Sequence, residues 1–554
     1  MQPIAEQKPI SWLTGSRLLL LFFLFACLVF GPLYNAGFVT DFLGWLECRD
    51  TTPFWRAYEC FGNRGLYFIP FIILGFLTGG FGLHPLPWFL VWIGLHAINA
   101  WLVADICRRL FSTFQVSFHW TVPLLAGLIF LLHPWQVEVL AWKACSNYLT
   151  SCLLMLLTLR SYLQYIVTIN TKYYWISVGT YFLFLFTLEF ALLFPALIAM
   201  LLWCLSTPTT FVRRSVGILM ELMPYLIAIG LWFIANKLLF GLWIGHYGAE
   251  AHTAIDIIAM SSVVFKYLVK TLLFARFLSF PIQTELYGIL DTVVVGGFML
   301  GIFVGLGILM FRIHRRTLLT RLRIFLFLSA IVFIIPVTNL YFYYLQFSEN
   351  DRYTYLAIAF LSIGLISLLW NWRGWPGKGI LALYLVACFW GTIVHVRIWE
   401  KSTTAYWHHI RTFPEPQKPK VFLLNVPDNY RGTFMFRNIG GDSSFDEVYK
   451  WIAKSDYSGK MYDVFQYNMT DLTNDFIVTR ESGNKIKIEF AQWGNWWWRN
   501  GRGAEKYSNK EYTAWPEGKY YYVEFKKPLE DAVILYYTPQ GWKEVPKSEI
   551  ENPK

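Results

Sequence analysis

The sequence predicts a polytopic α-helical membrane protein of about eleven spans with a C-terminal β-rich extracytoplasmic domain. Three observations predict it. Of 554 residues, 56% are hydrophobic, 19% aromatic and only 15% charged. A soluble globular chain carries about 25% charged residues, so most of this one faces lipid. Apolar runs long enough for about 30 Å of hydrocarbon recur from Arg17 to His395. Beyond Trp407 the long runs give way to short strand-like ones.

The first run, "RLLLLFFLFACLVFGPLY" from Arg17, lacks a small-residue cleavage site and reads as a retained anchor. The net charge of +11 then orders the rest. Residues 415–554 hold 20 Lys+Arg and 20 Asp+Glu, so 27 of the 47 basic residues and 16 of the 36 acidic ones lie upstream. The whole excess belongs to the membrane part, where it is a topology signal and not the footprint of a nucleic-acid binder. Basic clusters stand around Arg108, Arg213, Arg312 to Arg323, and Arg373, each between apolar runs. Placing all four in the cytoplasm puts five stretches outside: Asn35 to Gly65, "HPWQVEV", the surroundings of Glu189, "GHYGAEAH" and "YLQFSENDRYTY". The N-terminus is then cytoplasmic and the C-terminus outside, as in a bacterial inner membrane facing a periplasm. Leu66 to Leu83 and Ser261 to Tyr287 are broken by Gly, Pro or Lys, and crossing with either would misplace a basic loop. Both read as helices along the outer interface.

The membrane part covers 1–410 and a Pro-rich linker, 411–420, follows it. In 421–554 the runs "VFLLNV", "FIVTR", "KIKIEF", "YYYVEF" and "AVILYY" are separated by turn signals such as "SGN", "PEG" and "TPQG". β-branched and aromatic runs of this length read as strands, and about 135 residues suffice for an independent domain. The aromatic run at Trp493 and Trp496 to Trp498 reads first as hairpin core, with stacking on sugar rings as the alternative.

Eight cysteines are too few for a disulfide framework, and six lie in or beside spans. Cys48 and Cys60 share the first outer loop, and in an oxidising compartment they are expected to pair. Ionisable groups gather on the outer side: Asp41, His133, Glu138, Glu189, His246, Glu250, His252, Glu349, Asp351 and Arg352. Such groups at membrane depth tend to line a cavity or a pathway. Pro134 breaks the helix at "HPWQVEV" and sets His133 and Glu138 at a cavity rim rather than in lipid. Glu189 is flanked by apolar residues and needs either a basic partner or a cavity. Gly245 and Gly248 suit "GHYGAEAH" to a flexible gate, and no metal is assigned to it.

Five of these stretches occur in a telling order. They are "FVTDF" at Asp41, "WIGLHAINAWL" with His96 and Asn99, and "HPWQVEVLAW" with His133, Pro134, Glu138 and Trp142. "LEFALLFP" with Glu189 and Pro195 comes next, and then "DRYTYL" with Arg352, Tyr353 and Tyr355. The series resembles the GT-C class of polyprenyl-phosphate-sugar-dependent glycosyltransferases, and within it the membrane part of the tetratricopeptide-repeat O-mannosyltransferase family. Many members have two adjacent acids where this chain has Asp41-Phe42, and a Lys where it has Leu188. The repeats of that family are replaced here by the β-rich domain.

The resemblance implies an inverting transfer from a polyprenyl-phosphate sugar to an extracytoplasmic acceptor, which could be a protein hydroxyl, a lipid or a glycan. It implies no nucleotide sugar, metal or cofactor. Such a transfer needs a carboxylate to take the acceptor proton and cations to hold the departing phosphate. Asp41 is the expected base, with Glu138 next in line. Arg352 is the first choice for the phosphate because its planar fork matches phosphate oxygens. Lys266 and Lys270 are second choices. His133 or Glu138 would orient acceptor or sugar, with Glu189 and Tyr353 also lining the substrate site. The expected partners are the lipid carrier, the acceptor and other membrane proteins. A transporter would show a repeated half-structure with broken mid-membrane helices, which the sequence lacks. The alternative that stays open is a non-catalytic membrane scaffold or complex subunit presenting the β domain.

Overall fold

The structure, a computed structural model, describes residues 15–39, 42–46, 52–53, 56, 65–206, 210–244, 256–338, 350–370, 375–436, 443–453, 457, 459–469, 476–490, 496–498 and 506–546. Its contacts divide the chain into two units, Met1–Tyr34 with Thr52–Val396, and Asn35–Thr51 with Arg397–Lys554.

The first unit is built of helices. In order they are α1 (Ser16–Val29), α2 (Ile69–Phe81), α3 (Pro85–Thr113), α4 (Thr121–Leu131), α5 (Val137–Ala141), α6 (Ser146–Thr168), α7 (Thr171–Phe184) and α8 (Phe194–Leu205). Then come α9 (Phe211–Phe240), α10 (Ile257–Leu273), α11 (Phe280–Leu290), α12 (Val293–Phe311), α13 (Leu318–Val332), α14 (Tyr355–Leu369) and α15 (Trp375–Arg411). The C-terminal end of α15 belongs to the second unit. Among the described residues, seven helices are long and apolar enough to cross a membrane, or eight if the bent pair α4–α5 is one span. The chain is therefore a multi-pass helical membrane protein with a strand-rich C-terminal region.

Local chemistry sets the helix ends. Pro85 opens α3, where a missing N–H costs nothing. Thr317 caps α13 by accepting from the Thr320 amide at 3.3 Å. Gly241 closes α9 at φ +72°, a conformation that favours glycine. Burial then sorts the apolar helices. The span ending in α14 is 83% buried and that of α12 only 11%, so α14 is central and α12 faces lipid. Gly127 lets α4 lie close to α3, because a Cβ there would sit 2.9 Å from the Ala100 carbonyl oxygen. At one end of α3 and α6, Asp105 accepts from Arg108, Arg109 and Arg160 at 2.8, 2.6 and 2.9 Å.

Among the described residues, the second unit holds three sheets. In the first, β1 (Lys420–Leu423) lies between β12 (Ala532–Thr538) and β4 (Met461–Asp463), parallel to both, with β13 (Gly541–Glu544) antiparallel outside β12. The second is antiparallel in the order β6 (Phe476–Ser482), β7 (Lys485–Phe490), β11 (Tyr520–Phe525), β10 (Tyr512–Glu517) and β9 (Tyr507–Ser508). The third runs β3 (Thr433–Phe434), β2 (Val426–Tyr430), β5 (Gln466–Met469), β8 (Trp496–Trp498). Strand β8 contains three of the tryptophans singled out above, but the placement of their rings, and of Trp493, lies outside the described residues. Gly518 takes φ +62° in the two-residue β10–β11 loop, as such hairpins require. One further helix, α16 (Phe445–Ala453), starts where Ser443 Oγ accepts from the Phe445 and Asp446 amides, both at 3.2 Å.

Glu511 gives this unit a pH dependence. Its side chain is 4% exposed and pairs with Lys420 and Lys527, both at 2.9 Å. Burial alone would raise its carboxyl, but hydrogen bonds and charge from the two lysines outweigh that and hold it below its ordinary value of 4.5. A carboxylate depressed on folding contributes stability that is present above its unfolded pKa and lost as pH falls through the folded one. Acid unfolding of the C-terminal unit is therefore expected to steepen below about pH 4.5. Glu511→Gln should remove that slope and cost about 1–3 kcal/mol at neutral pH. Denaturant titrations of both forms at pH 7 and pH 3, followed by near-UV signal, test this; parallel losses in the two would show that Glu511 is not responsible.

Candidate functional site

The break after α4 is the centre of the site. Pro134 cannot continue the helix, and a 3-10 turn (Pro134–Gln136) leads into the five-residue α5 with a bend of 50°. The turn is held from α15. Thr392 Oγ1 donates to the Leu132 carbonyl at 2.6 Å, and His395 Nδ1 donates to that of Pro134 at 2.7 Å. Gly391 completes the clamp, since a Cβ there would lie 3.3 Å from the Pro134 ring and 2.9 Å from that of Phe277.

Onto this turn folds the 3-10 segment Asp351–Thr354, which precedes α14. Glu138 Oε1 accepts from Arg352 Nη1 at 2.6 Å, and its Oε2 accepts from the Arg352 backbone amide at 2.8 Å. The guanidinium lies over the Tyr353 and Trp142 rings, at 4.6 and 5.3 Å from their centroids. Next to it, Asp351 pairs with Lys270 at 2.5 Å and faces His395 Nε2 at 3.6 Å. Lys270 in turn stands 5.5 Å from the centre of the Trp135 ring, whose Nε1 donates to the Lys270 carbonyl at 3.0 Å.

A second network lies on the same elements. His96 Nε2 faces the Leu131 carbonyl at 3.1 Å, which makes it the donor nitrogen and leaves Nδ1 to accept from the Tyr355 hydroxyl at 2.9 Å. Asn99 donates to the same hydroxyl at 3.3 Å and to the Leu149 carbonyl at 3.2 Å. Tyr148 lies between the neighbourhoods, its ring tilted against Tyr353 at 6.1 Å and edge-on to Phe190 at 6.2 Å. The stretches around His96, His133 and Arg352 are thus joined by direct contacts, and the one at Glu189 reaches them through its neighbour Phe190.

No family model matches the chain, nor does any curated protein.

The remaining candidates fall as follows. His133 is buried, accepts from the Trp135 amide at 3.3 Å and packs against Phe274. Phe274 adopts φ +53°, a left-handed conformation that costs about 1–2 kcal/mol, and its ring contacts both His133 and Tyr384. Glu189 opens a short 3-10 turn. Burial first, then the Glu189 charge, push the Tyr67 hydroxyl well above its ordinary pKa. Lys266 and Lys270 are one turn apart on α10 and both are buried. Lys266 pairs with Asp291; burial lowers its pKa and the aspartate only partly restores it. The two lysines therefore face inward, toward carboxylates. Asp41, Cys48, Cys60, His246, Glu250, His252 and Glu349 lie outside the described residues.

Sequence reasoning passed over two groups that the fold brings in. One is His395, an ionisable residue inside the apolar run "GTIVHVRIW", and that position was itself the signal. The other is a pair of amides, Gln136 and Asn350, at 0% and 1% exposure. Neither the oxygen nor the nitrogen of either side chain has a hydrogen-bond partner among the described residues. Four unsatisfied polar atoms at full burial are costly, at about 1–3 kcal/mol each, and they offer donors and acceptors to a polar ligand.

Proposed function

We propose that the chain is a GT-C-like membrane glycosyltransferase that moves a sugar from a polyprenyl-phosphate carrier to an extracytoplasmic acceptor with inversion. One observation carries the reading. Sequence stretches that resemble the glycosyltransferase series, 214 residues apart at Glu138 and Arg352, meet in a single buried hydrogen-bonded cluster. Eleven crossings follow if α1, α3, α4, α6, α7, α8, α9, α12, α13, α14 and α15 all span. Helices α2, α10 and α11 then rest along the outer face, and the cluster sits at the outer leaflet. This puts the catalytic side in the periplasm of a bacterial inner membrane.

In this mechanism Asp41 takes the proton of the acceptor hydroxyl while the hydroxyl oxygen bonds to the anomeric carbon. The bond from that carbon to the phosphate oxygen breaks, and its electron pair leaves on the phosphate. Arg352 supplies the cation that steadies the leaving charge. Glu138 acts as a positioning residue, since both its oxygens already accept from Arg352 and fix the guanidinium. Gln136 and Asn350 offer the hydrogen bonds that sugar hydroxyls need, with His133 and Glu189 as further groups for the sugar or the acceptor.

A second reading, a non-catalytic scaffold presenting the β domain, draws on a different feature of the cluster. Each buried acid in it has a basic partner within the chain, Glu138 with Arg352 and Asp351 with Lys270. A polyprenyl-phosphate binding assay on the purified full chain in neutral detergent decides between them. Arg352→Lys keeps the charge but loses the planar fork, so affinity should fall about tenfold, the worth of one charge-assisted hydrogen bond. Equal affinity in the two proteins would end the phosphate role.

A further inference from the structure

A cavity of about 530 Å³ lies away from this cluster, at the opposite ends of the same helices. Its walls come from the C-terminal ends of α6 and α8 and the N-terminal end of α9. Two kinds of surface meet in it. Arg213, Arg214 and Glu221 give charge, while Ile166, Ile169 and Ile218 give an apolar slope. Arg214 is buried, with its guanidinium 4.6 Å from the centre of the Trp203 ring. Arg321 adds positive charge behind the wall, where its Nη1 donates to the carbonyls of Cys204 and Ser206 at 3.3 and 3.5 Å. Glu221 is turned toward tyrosine, its Oε1 accepting from the Tyr162 hydroxyl at 3.3 Å. Two lining arginines against one glutamate, with Arg321 behind the wall, leave the cavity positive.

The position of the arginines sharpens the argument. Both stand in the first turn of the 30-residue α9, which has no acidic residue in that turn and no side-chain cap from Thr210. A helix N-terminus favours anions over cations, so an anion held by these two arginines would gain from the helix dipole as well. Ile169 lines the same cavity at φ +55°, left-handed although β-branched, and its side chain is 80% exposed. A β-branched residue in that conformation is a genuine outlier. It puts an apolar side chain at the mouth of a charged cavity, level with the ends of membrane-length helices.

We infer that this cavity binds an anionic glycerophospholipid of the cytoplasmic leaflet. The phosphate would lie on Arg213 and Arg214, and an acyl chain along Ile166, Ile169 and Ile218. A free phosphate ion would satisfy the arginines but has no use for the apolar slope. The side follows from the positive-inside rule, since Arg213 and Arg321 both belong to basic clusters. Basic pockets between spans on that face suit lipid head groups. The inference is independent of any transfer chemistry at the opposite ends of the helices.

The test is native mass spectrometry of the full chain in neutral detergent, with phosphatidylglycerol or phosphatidylcholine added in turn. One phosphatidylglycerol should be retained per chain in preference to phosphatidylcholine. Arg213→Gln, at an exposed position, should weaken that retention about fivefold, and R213Q/R214Q further by a similar factor. Ile218→Trp, which fills the apolar slope without touching charge, should also weaken it. Thermal unfolding checks that each variant is folded, and Arg213→Gln keeps the test valid if the double variant is not. Equal retention of the two lipids, no change in Arg213→Gln, or displacement of phosphatidylglycerol by inorganic phosphate at millimolar concentration would each overturn the assignment.

Discussion

Arg352→Ala is expected to destabilise the membrane unit by about 3–5 kcal/mol, because it strands a buried carboxylate. The side chains of Arg352 and Glu138 are 6% and 4% exposed, and Glu138 loses its Nη1 donor at 2.6 Å. The backbone amide bond at 2.8 Å would remain, and it cannot neutralise a full charge. Glu138→Gln should do less harm to the acceptor side, since an amide oxygen still accepts, but it leaves the guanidinium unpaired with that carboxylate. The double replacement Glu138→Leu with Arg352→Met removes both charges at once, and it should recover much of the loss. Thermal unfolding of the wild type, Glu138→Leu, Arg352→Met and the double variant in one detergent gives the coupling. Additive losses would show that the two side chains do not act as a pair. Arg352→Ala unfolding at the wild-type temperature would show that the buried pair contributes nothing.

What was readable in the sequence, and what was not, divides along physical lines. Pro134 announced the helix break, because a ring with no N–H cannot continue a helix wherever it stands. The runs around Val421, Ile486, Val523 and Ile534 announced strands through β-branched and aromatic content, and all four lie in strands. Partners were a different matter. That Val421 sits between Val533 and Met461, parallel to both, is not encoded by an alternation of period two. The Glu138–Arg352 contact is equally silent, as either residue alone reads as a loop charge near a span end. For α16 the sequence does carry a signal. Ser443 followed by acids in the first turn of "FDEVYKWIA" is a helix start.

The span count shows the same limit from another side. The run that begins at Arg17 is long enough to cross, but α1 supplies only 14 residues of it, about 21 Å at 1.5 Å per residue, so a crossing there has to be completed by the segment that follows. Gly31 and Pro32 turn its end into a 3-10 segment. Hydropathy counts apolar residues, but crossing length depends on how many of them stay helical. Lys266 and Lys270 carried a similar ambiguity. Their spacing of four put them on one helix face, and only packing could decide that the face turns inward, toward Asp291 and Asp351.

The largest functional effect is expected at Asp41, where Asp41→Asn should lower sugar transfer about a hundredfold or more while polyprenyl-phosphate binding is retained. Asp41 itself lies outside the described residues, but its surroundings bear on the choice of role. Residues 42–46 form a helical turn, and Phe42, Leu43, Trp45 and Leu46 are buried. From the sequence, the apolar neighbours "GFV" and "FLGW" are expected to desolvate the carboxylate in part, which would raise its proton affinity toward what a base requires. The same helical turn gives the competing role its best case, because an aspartate just ahead of it is a natural N-cap. The asparagine variant separates the two. Asparagine caps about as well as aspartate, so a pure cap predicts transfer near the wild-type rate and an unchanged unfolding temperature. A base predicts the loss of transfer with folding and carrier binding intact, since the amide cannot take the acceptor's proton. Transfer at the wild-type rate would place the base elsewhere. Glu138 would come next, but its two oxygens are held by Arg352, so it could serve only if a phosphate first drew the guanidinium away.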